Sequence, residues 1–255
     1  MRELIDRLLP VLFFAVLMAA WQIACNVFDV PEFLLPSPLA IVKKIGEVPE
    51  RLLLHTLTTL REVVIGFAAA CAGGILLASF TAQSRIFGRT VFPMLVMSQT
   101  VPTIAIAPVL VIWFGPGDVA RLIVVFLIAF FPMVVNTTAG LLRVNQELID
   151  LARGLNASRW KIFTKIRMPN ALPHIFTGMR ISIALSVIGA VVAEFVAAEQ
   201  GLGYLIFSAN TNLDTKLVFA GVVLLAIMGI ILFQAVRTAQ HLMLPWARES
   251  APGGP

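Results

Sequence analysis

The residues able to do chemistry in this 255-residue chain fall into two settings. One set interrupts long apolar runs. Ser98, Gln99, Thr100 and Thr103 surround Pro102; Asn136, Thr137 and Thr138 follow Pro132; His55, Arg61, Glu62, Arg180 and Glu194 are ionisable. A polar side chain at membrane depth is costly, so it marks either a pathway or a packing contact. Gln99, Thr100, Thr103, Asn136 and Glu194 are the pathway candidates. Pro93, Pro102 and Pro108 support that reading in the third run, because each frees backbone groups that a cavity-lining helix can leave to water or solute. Interhelical hydrogen bonding is the competing reading, and the stronger one for Asn136, Thr137 and Thr138. Glu194 stands near the outer end of its run, where it lines a gate or reaches the headgroups. Arg61 and Glu62 lie at the same boundary and can snorkel.

The second set lies between Arg143 and Leu172, a segment holding six of the nineteen basic residues. Connections between bundle helices usually run about two to eight residues, far fewer than here. Glu147–Leu155 has helical pattern, and Ala157, Trp160, Phe163 and Ile166 recur every three residues along one side of a second stretch. Asn156 sits between the two, where a left-handed residue would turn the chain. Pro169 and Pro173 are expected to stop the second helix. Two readings stay open: an amphipathic helix resting on anionic lipid, or a docking elbow. In the second, small Ala152, Gly154 and Ala157 let a partner approach, and Asp150 meets a cation or a helix N-terminus.

Other chemistries find no support. His55, His174 and His241 are too dispersed for a metal site, and no Ser/His/Asp or Cys/His constellation is evident. An intramembrane enzyme using Glu194, Glu62 and His55 would need those groups to converge on one reacting atom. No Gly-x-x-x-x-Gly-Lys-Ser/Thr run occurs, so nucleotide is not expected to bind this chain. Cys25 and Cys71 both lie in apolar runs and read as small packing residues.

The elements that carry these residues follow from composition. Hydrophobic residues make up 59% and charged residues 13%, with mean hydropathy +0.92; a soluble domain carries about a quarter charged. The net charge is +5, yet the basic residues form no stripe of the kind that binds nucleic acid. Each membrane span needs about 20 apolar residues. Six are expected: Leu8–Phe28, Leu57–Phe80, Val91–Phe114, Val119–Leu142, Pro173–Ala198 and Leu217–Ala239. The runs are continuous, without the period-two alternation of barrel strands, so the fold class is all-α. Acidic Glu3 and Asp6 offset Arg2 and Arg7, and Gln22 occupies the aliphatic position of a lipoprotein cleavage site, so the first span reads as a retained helix.

Six spans put both termini on one side. Thirteen of the nineteen basic residues fall on that side, including those of 143–172, and nine of the fourteen acids on the other. The positive-inside rule therefore makes the termini and the long loop cytoplasmic. Trp21 and Trp113 agree, lying near outer ends where indole rings prefer the interface. On the outer side, Ser37 and Pro38 start a short surface helix to about Gly46, and Glu199–Lys216 forms a re-entrant or surface hairpin. The whole chain, 1–255, reads as one transmembrane domain, with 250–255 a disordered tail.

Asp150-Leu151-Ala152-Arg153-Gly154-Leu155-Asn156, nine residues, then Ile166-Arg167-Met168-Pro169 resembles the EAA signature of ABC-importer permeases. That signature reads Glu-Ala-Ala, three residues, Gly, nine residues, Ile, any residue, Leu-Pro. Here Asp150, Leu151, Asn156 and Met168 depart from it while its spacing is kept. Leu35-Pro36-Ser37-Pro38, Trp113-Phe114-Gly115-Pro116-Gly117, Phe130-Phe131-Pro132, Asn136-Thr137, Ala193-Glu194 and Gly201-Leu202-Gly203-Tyr204 are similar to the nitrate/sulfonate/taurine branch.

The resemblance implies a type I ABC-importer permease fold in the inner membrane, with two permease copies (a homodimer) forming the pathway. It also implies two partners: an ATP-hydrolysing subunit that receives the loop, and an extracytoplasmic solute-binding protein. The implied ATPase-coupling residues are Asp150, Leu151, Ala152, Gly154, Asn156, Ala157, Trp160, Ile166 and Pro169, with ATP held by the partner. A self-sufficient secondary transporter is the alternative. It would favour an inverted repeat and charges at mid-membrane, neither of which is evident.

Overall fold

The computed structural model describes residues 2–84, 90, 93–94, 97 and 102–248. Gln99 and Thr100 lie outside them, with Ser98, much of the third expected span and the tail 250–255. Among the described residues the elements are helical. They are α1 (Arg2–Val27), α2 (Pro38–Glu47), α3 (Pro49–Gln83), α4 (Thr103–Phe114), α5 (Asp118–Leu142), α6 (Gln146–Gly154), α7 (Arg159–Ala197), α8 (Leu202–Thr211) and α9 (Thr215–Met243). Four of these, α3, α5, α7 and α9, are long and apolar enough to cross a membrane; Leu12–Val27 in α1 and α4 are shorter apolar helices. At 1.5 Å per residue the 35 residues of α3 reach about 50 Å, well beyond a hydrocarbon core of about 30 Å.

The chain divides into two compact units, Met1–Thr58 with Glu199–Ala226, and Thr59–Ala198 with Ile227–Pro255. In the first, Ser37 accepts the Ala40 N–H and Pro38 opens α2, as the sequence suggests. Gln22 Oε1 accepts the Leu39 N–H at 3.1 Å, satisfying another of the donors orphaned at that helix start. The segment Glu199–Lys216 is no surface hairpin. It contains α8, whose Leu202 and Leu205 are fully buried against Leu52, Ala209 and Leu217, so its apolar face has a core to fill. Gly201, at φ 117°, makes the turn into α8 and donates its N–H to His55 Nδ1 at 3.0 Å.

In the second unit α5 lies along α7, and glycine makes the approach possible. A Cβ on Gly140 would stand 2.7 Å from the Cβ of His174 and 3.0 Å from the Ala171 Cα. Small residues serve this purpose where lipid supplies no hydrophobic drive between helices. Ser182 Oγ, fully buried on α7, donates to the Ala129 carbonyl of α5 at 2.7 Å. Below it, Cys71, Ala78, Met133, Leu141, Phe163, Ala171 and Ile175 form a core joining α3, α5 and α7.

Pro169 and Pro173 do not stop the helix as expected. Helix α7 runs unbroken from Arg159 to Ala197, with a π-type turn over Phe163–Arg167. There the Met168 N–H reaches back five residues to the Phe163 carbonyl. The widened turn shifts the hydrogen-bond register just before Pro169, whose ring would otherwise press on the carbonyl four residues earlier. The fifth apolar run therefore continues the second half of the loop as one helix.

Gly140→Val should force α5 and α7 apart, destabilising the protein by about 1–3 kcal/mol. A lowered melting temperature in detergent, with Gly154→Ala unaffected as control, would be the expected result.

Candidate functional site

The candidate site is the elbow between α6 and α7, and it is built almost entirely from local rules. Asn145 starts α6, its Oδ1 accepting the Glu147 N–H at 3.0 Å, and Glu147 complements the positive end of the helix. The C-terminus closes with a paired set of backbone bonds. The Asn156 N–H donates to Arg153 O at 2.9 Å, and the Ala157 N–H reaches back five residues to Ala152 O, also at 2.9 Å. Asn156 carries φ 58°, the left-handed residue this closure requires. Two residues on, Ser158 Oγ accepts the Lys161 N–H at 3.3 Å and starts α7. Termination and initiation thus sit side by side, leaving no slack between the two helices.

Packing holds the angle. Ile149, Ala152 and Ile162 are buried together, with Val144, Ala157 and Ile166 against them. Ala152 and Ala157 therefore fill the inside of the bend. Their small size serves the closeness of α6 and α7, with Ala152 buried and Ala157 half-buried. Gly154 does face open space: a Cβ built there meets nothing within 4 Å. Leu151, Leu155 and Trp160 are 63%, 75% and 68% exposed. The expected stripe of Ala157, Trp160, Phe163 and Ile166 is thereby split, since Phe163 is buried while Trp160 stacks on it from outside at 6.0 Å between ring centroids.

Asp150 is exposed and bonded to Arg153 Nη1 at 3.0 Å within its own helix. Such a pair contributes only about 0.2–0.5 kcal/mol, so a partner's cation can compete for the carboxylate. Arg167, which stands at the any-residue position of the signature, spans to α3: its Nη1 donates to the Ala82 carbonyl at 2.8 Å, near the negative end of that helix. It anchors the π turn, and Pro169 follows two residues later. Arg167 and the cap Ser158 help to hold the elbow in place, and the pattern reading missed both. Ser158 was legible as a cap three residues before Lys161, while the Arg167 contact joins residues 85 apart and left no local trace.

Of the described pathway candidates, Asn136 and Glu194 have hydrogen-bond partners within the chain. Asn136 Nδ2 donates to Pro132 O at 2.8 Å, and Thr138 shares a hydrogen bond with Thr81 across α5 and α3. Thr103 is half-buried at the start of α4. Glu194, expected near water, is instead 1% exposed and accepts a 2.6 Å hydrogen bond from Thr59 Oγ1. Glu62 does not snorkel either; it is buried, its Oε1 3.1 Å from Arg121 Nε. That contact is an ion pair at close range whose N–H does not point at the oxygen, so it gives no directed hydrogen bond. Arg121 also pairs with Asp118, and exposed Arg61 lies 3.3 Å from the same carboxylate. His55, the third group of the enzyme alternative, belongs to the other compact unit, where its Nδ1 is already occupied.

Asn156→Gly should preserve the elbow, while Asn156→Val should lose about 1–2 kcal/mol for placing a branched residue in left-handed geometry. Thermal unfolding of the two variants, compared in one detergent, would separate them.

Comparison with known proteins bears on what this geometry serves. Residues 73–248 match the family described as "Binding-protein-dependent transport system inner membrane component". The formylaminopyrimidine transport permease protein ThiX of Halalkalibacterium halodurans is 37% identical over 98% of this chain and 100% of its own length. The putative aliphatic sulfonates transport permease protein SsuC of Bacillus subtilis is 32% identical over 92% of this chain and 85% of its own. A chain of the inward-facing MetNI methionine ABC transporter, in its CY5 native crystal form, shares the fold. It superposes with TM-score 0.55 over 77% of this chain and 97% of that one, at 19% identity.

Proposed function

This chain belongs to the family of binding-protein-dependent transport system inner membrane components, and we propose that it acts there as the permease subunit of an ABC importer whose 146–169 elbow receives the stroke of a separate ATPase. Its relatives include permeases of the nitrate/sulfonate/taurine branch. In this reading six helices span the membrane, and both termini and the elbow are cytoplasmic, as the distribution of basic residues directs. Two copies form the pathway. A solute-binding protein delivers a small polar or anionic solute from outside, and the ATPase holds the nucleotide. Gln99, Thr100, Thr103, Asn136 and Glu194 are the proposed pathway positions, with Glu194 and Asn136 acting first as struts between or within helices.

The observation that carries the proposal is the elbow itself. A bend with no slack, fixed by the closure at Asn156 and the cap at Ser158, holds Leu151, Leu155 and Trp160 outward. Large apolar side chains left in water call for a cover, and a stiff bend can pass a push from that cover into α7. Because α7 is continuous from Arg159 to Ala197, movement at the elbow travels directly into a spanning helix. The lipid-resting reading explains the exposed Trp160, yet it gives no reason for so rigid a junction.

Asp150→Lys should leave membrane insertion intact while lowering solute-stimulated ATP hydrolysis by tenfold or more in proteoliposomes holding the complete transporter. Gly154→Trp, tolerated by this chain's own packing, should release the ATPase during purification. Wild-type uptake by both variants would refute the docking role.

A further inference from the structure

Beneath the elbow lies a cavity of about 710 Å³ between the end of α3, the start of α6 and the first turns of α7. Its walls include Gln83, Gln146, Arg153, Arg159, Arg167 and Phe163, three guanidinium groups and two amides without a lining carboxylate. Of these three arginines, only Arg153 has an acidic partner among the described residues, the exposed Asp150, which lies outside the lining. Arg167 spends Nη1 on the Ala82 carbonyl, and its Nε is buried without a hydrogen-bond partner. A buried donor left unmade is uncommon and asks for a ligand or water. Three like charges around one concavity repel one another and concentrate anions. The planar forks of arginine match the oxygens of phosphate in pairs.

We propose that this cavity binds a phosphate group and thereby braces α6 and α7 against the end of α3. The chemistry is that of a phosphate monoester or diester, supplied either by an anionic phospholipid headgroup at the inner leaflet or by a soluble phosphate. The volume accommodates a headgroup as well as a free ion, and basic pockets at the cytoplasmic ends of spanning helices commonly take anionic headgroups. The site is separate from the outward Leu151, Leu155 and Trp160 surface. Its occupancy does not require that the elbow dock an ATPase.

Trp160 reports on the site, because it stacks on Phe163, a residue of the cavity wall. The full-length protein in neutral detergent would be titrated with inorganic phosphate. In parallel it would be placed in nanodiscs of phosphatidylcholine with and without phosphatidylglycerol, and bound lipid counted by native mass spectrometry. A saturable change in tryptophan emission with phosphate, lost on Trp160→Phe, assigns a soluble source. Retention of phosphatidylglycerol over phosphatidylcholine assigns the lipid, and either result supports the site. Arg153→Gln with Arg159→Gln should weaken binding by tenfold or more, Arg159→Lys by less, and Arg143→Gln, in the same loop but outside the cavity, not at all. Circular dichroism verifies that each variant is folded. Absence of binding in both arms overturns the proposal, as does equal loss from Arg143→Gln. Loss of the ATPase from the arginine variants without any phosphate or lipid binding would also overturn it, in favour of protein docking in the cavity.

Discussion

The reversal of the chain at Asn156 is the constraint on which the functional reading depends. Two backbone hydrogen bonds and one left-handed residue end α6, and a serine cap begins α7 two positions later. Helix ends ordinarily leave backbone groups unsatisfied and free to fray. Here the last turn of one helix and the first turn of the next are both tied, and the apolar contact of Ile149, Ala152 and Ile162 closes the inner side. In the proposed role, an elbow tied in this way would transmit force instead of absorbing it. The Arg167 bond to the Ala82 carbonyl fastens its base to α3, so movement of the elbow involves two spanning helices.

The π turn after the elbow has a similar logic. Pro169 would break an ordinary helix at this point, and a broken helix would uncouple the loop from the membrane. One extra residue in the turn over Phe163–Arg167 absorbs the missing donor while the axis continues. Within the membrane the governing term is the low dielectric. Thr59 with Glu194, Ser182 with Ala129 and Thr81 with Thr138 each satisfy a buried polar group by binding a second helix. Such contacts cost little once formed and a good deal if broken, which suits struts that keep helices in register.

Much of this was legible in the sequence. The apolar runs located α3, α5, α7 and α9, because length and hydropathy directly reflect what lipid tolerates. Asn156 as the left-handed residue and Ser37-Pro38 as a helix start were readable, since caps and turns are decided by a few neighbouring residues. What escaped depends on contacts and helix register that no local pattern displays. Glu194 looked exposed because it stands near the outer end of its run; its donor, Thr59, lies 135 residues away. Ala152 looked available to a partner because its neighbour across the bend is visible only once α6 and α7 fold together. The continuity of α7 through two prolines was hidden for another reason: a π turn has no composition signature, and proline rules assume ordinary register.

In the proposed function the outer face of the elbow meets an ATP-hydrolysing subunit. A photo-cross-linking residue placed at Leu155, and separately at Ile149 on the buried side, tests it directly in membranes containing the complete transporter. An adduct with the ATPase is expected from position 155, none from 149, and a yield that changes when nucleotide is added. Absence of any such adduct from position 155, in a variant that still imports solute, would contradict it.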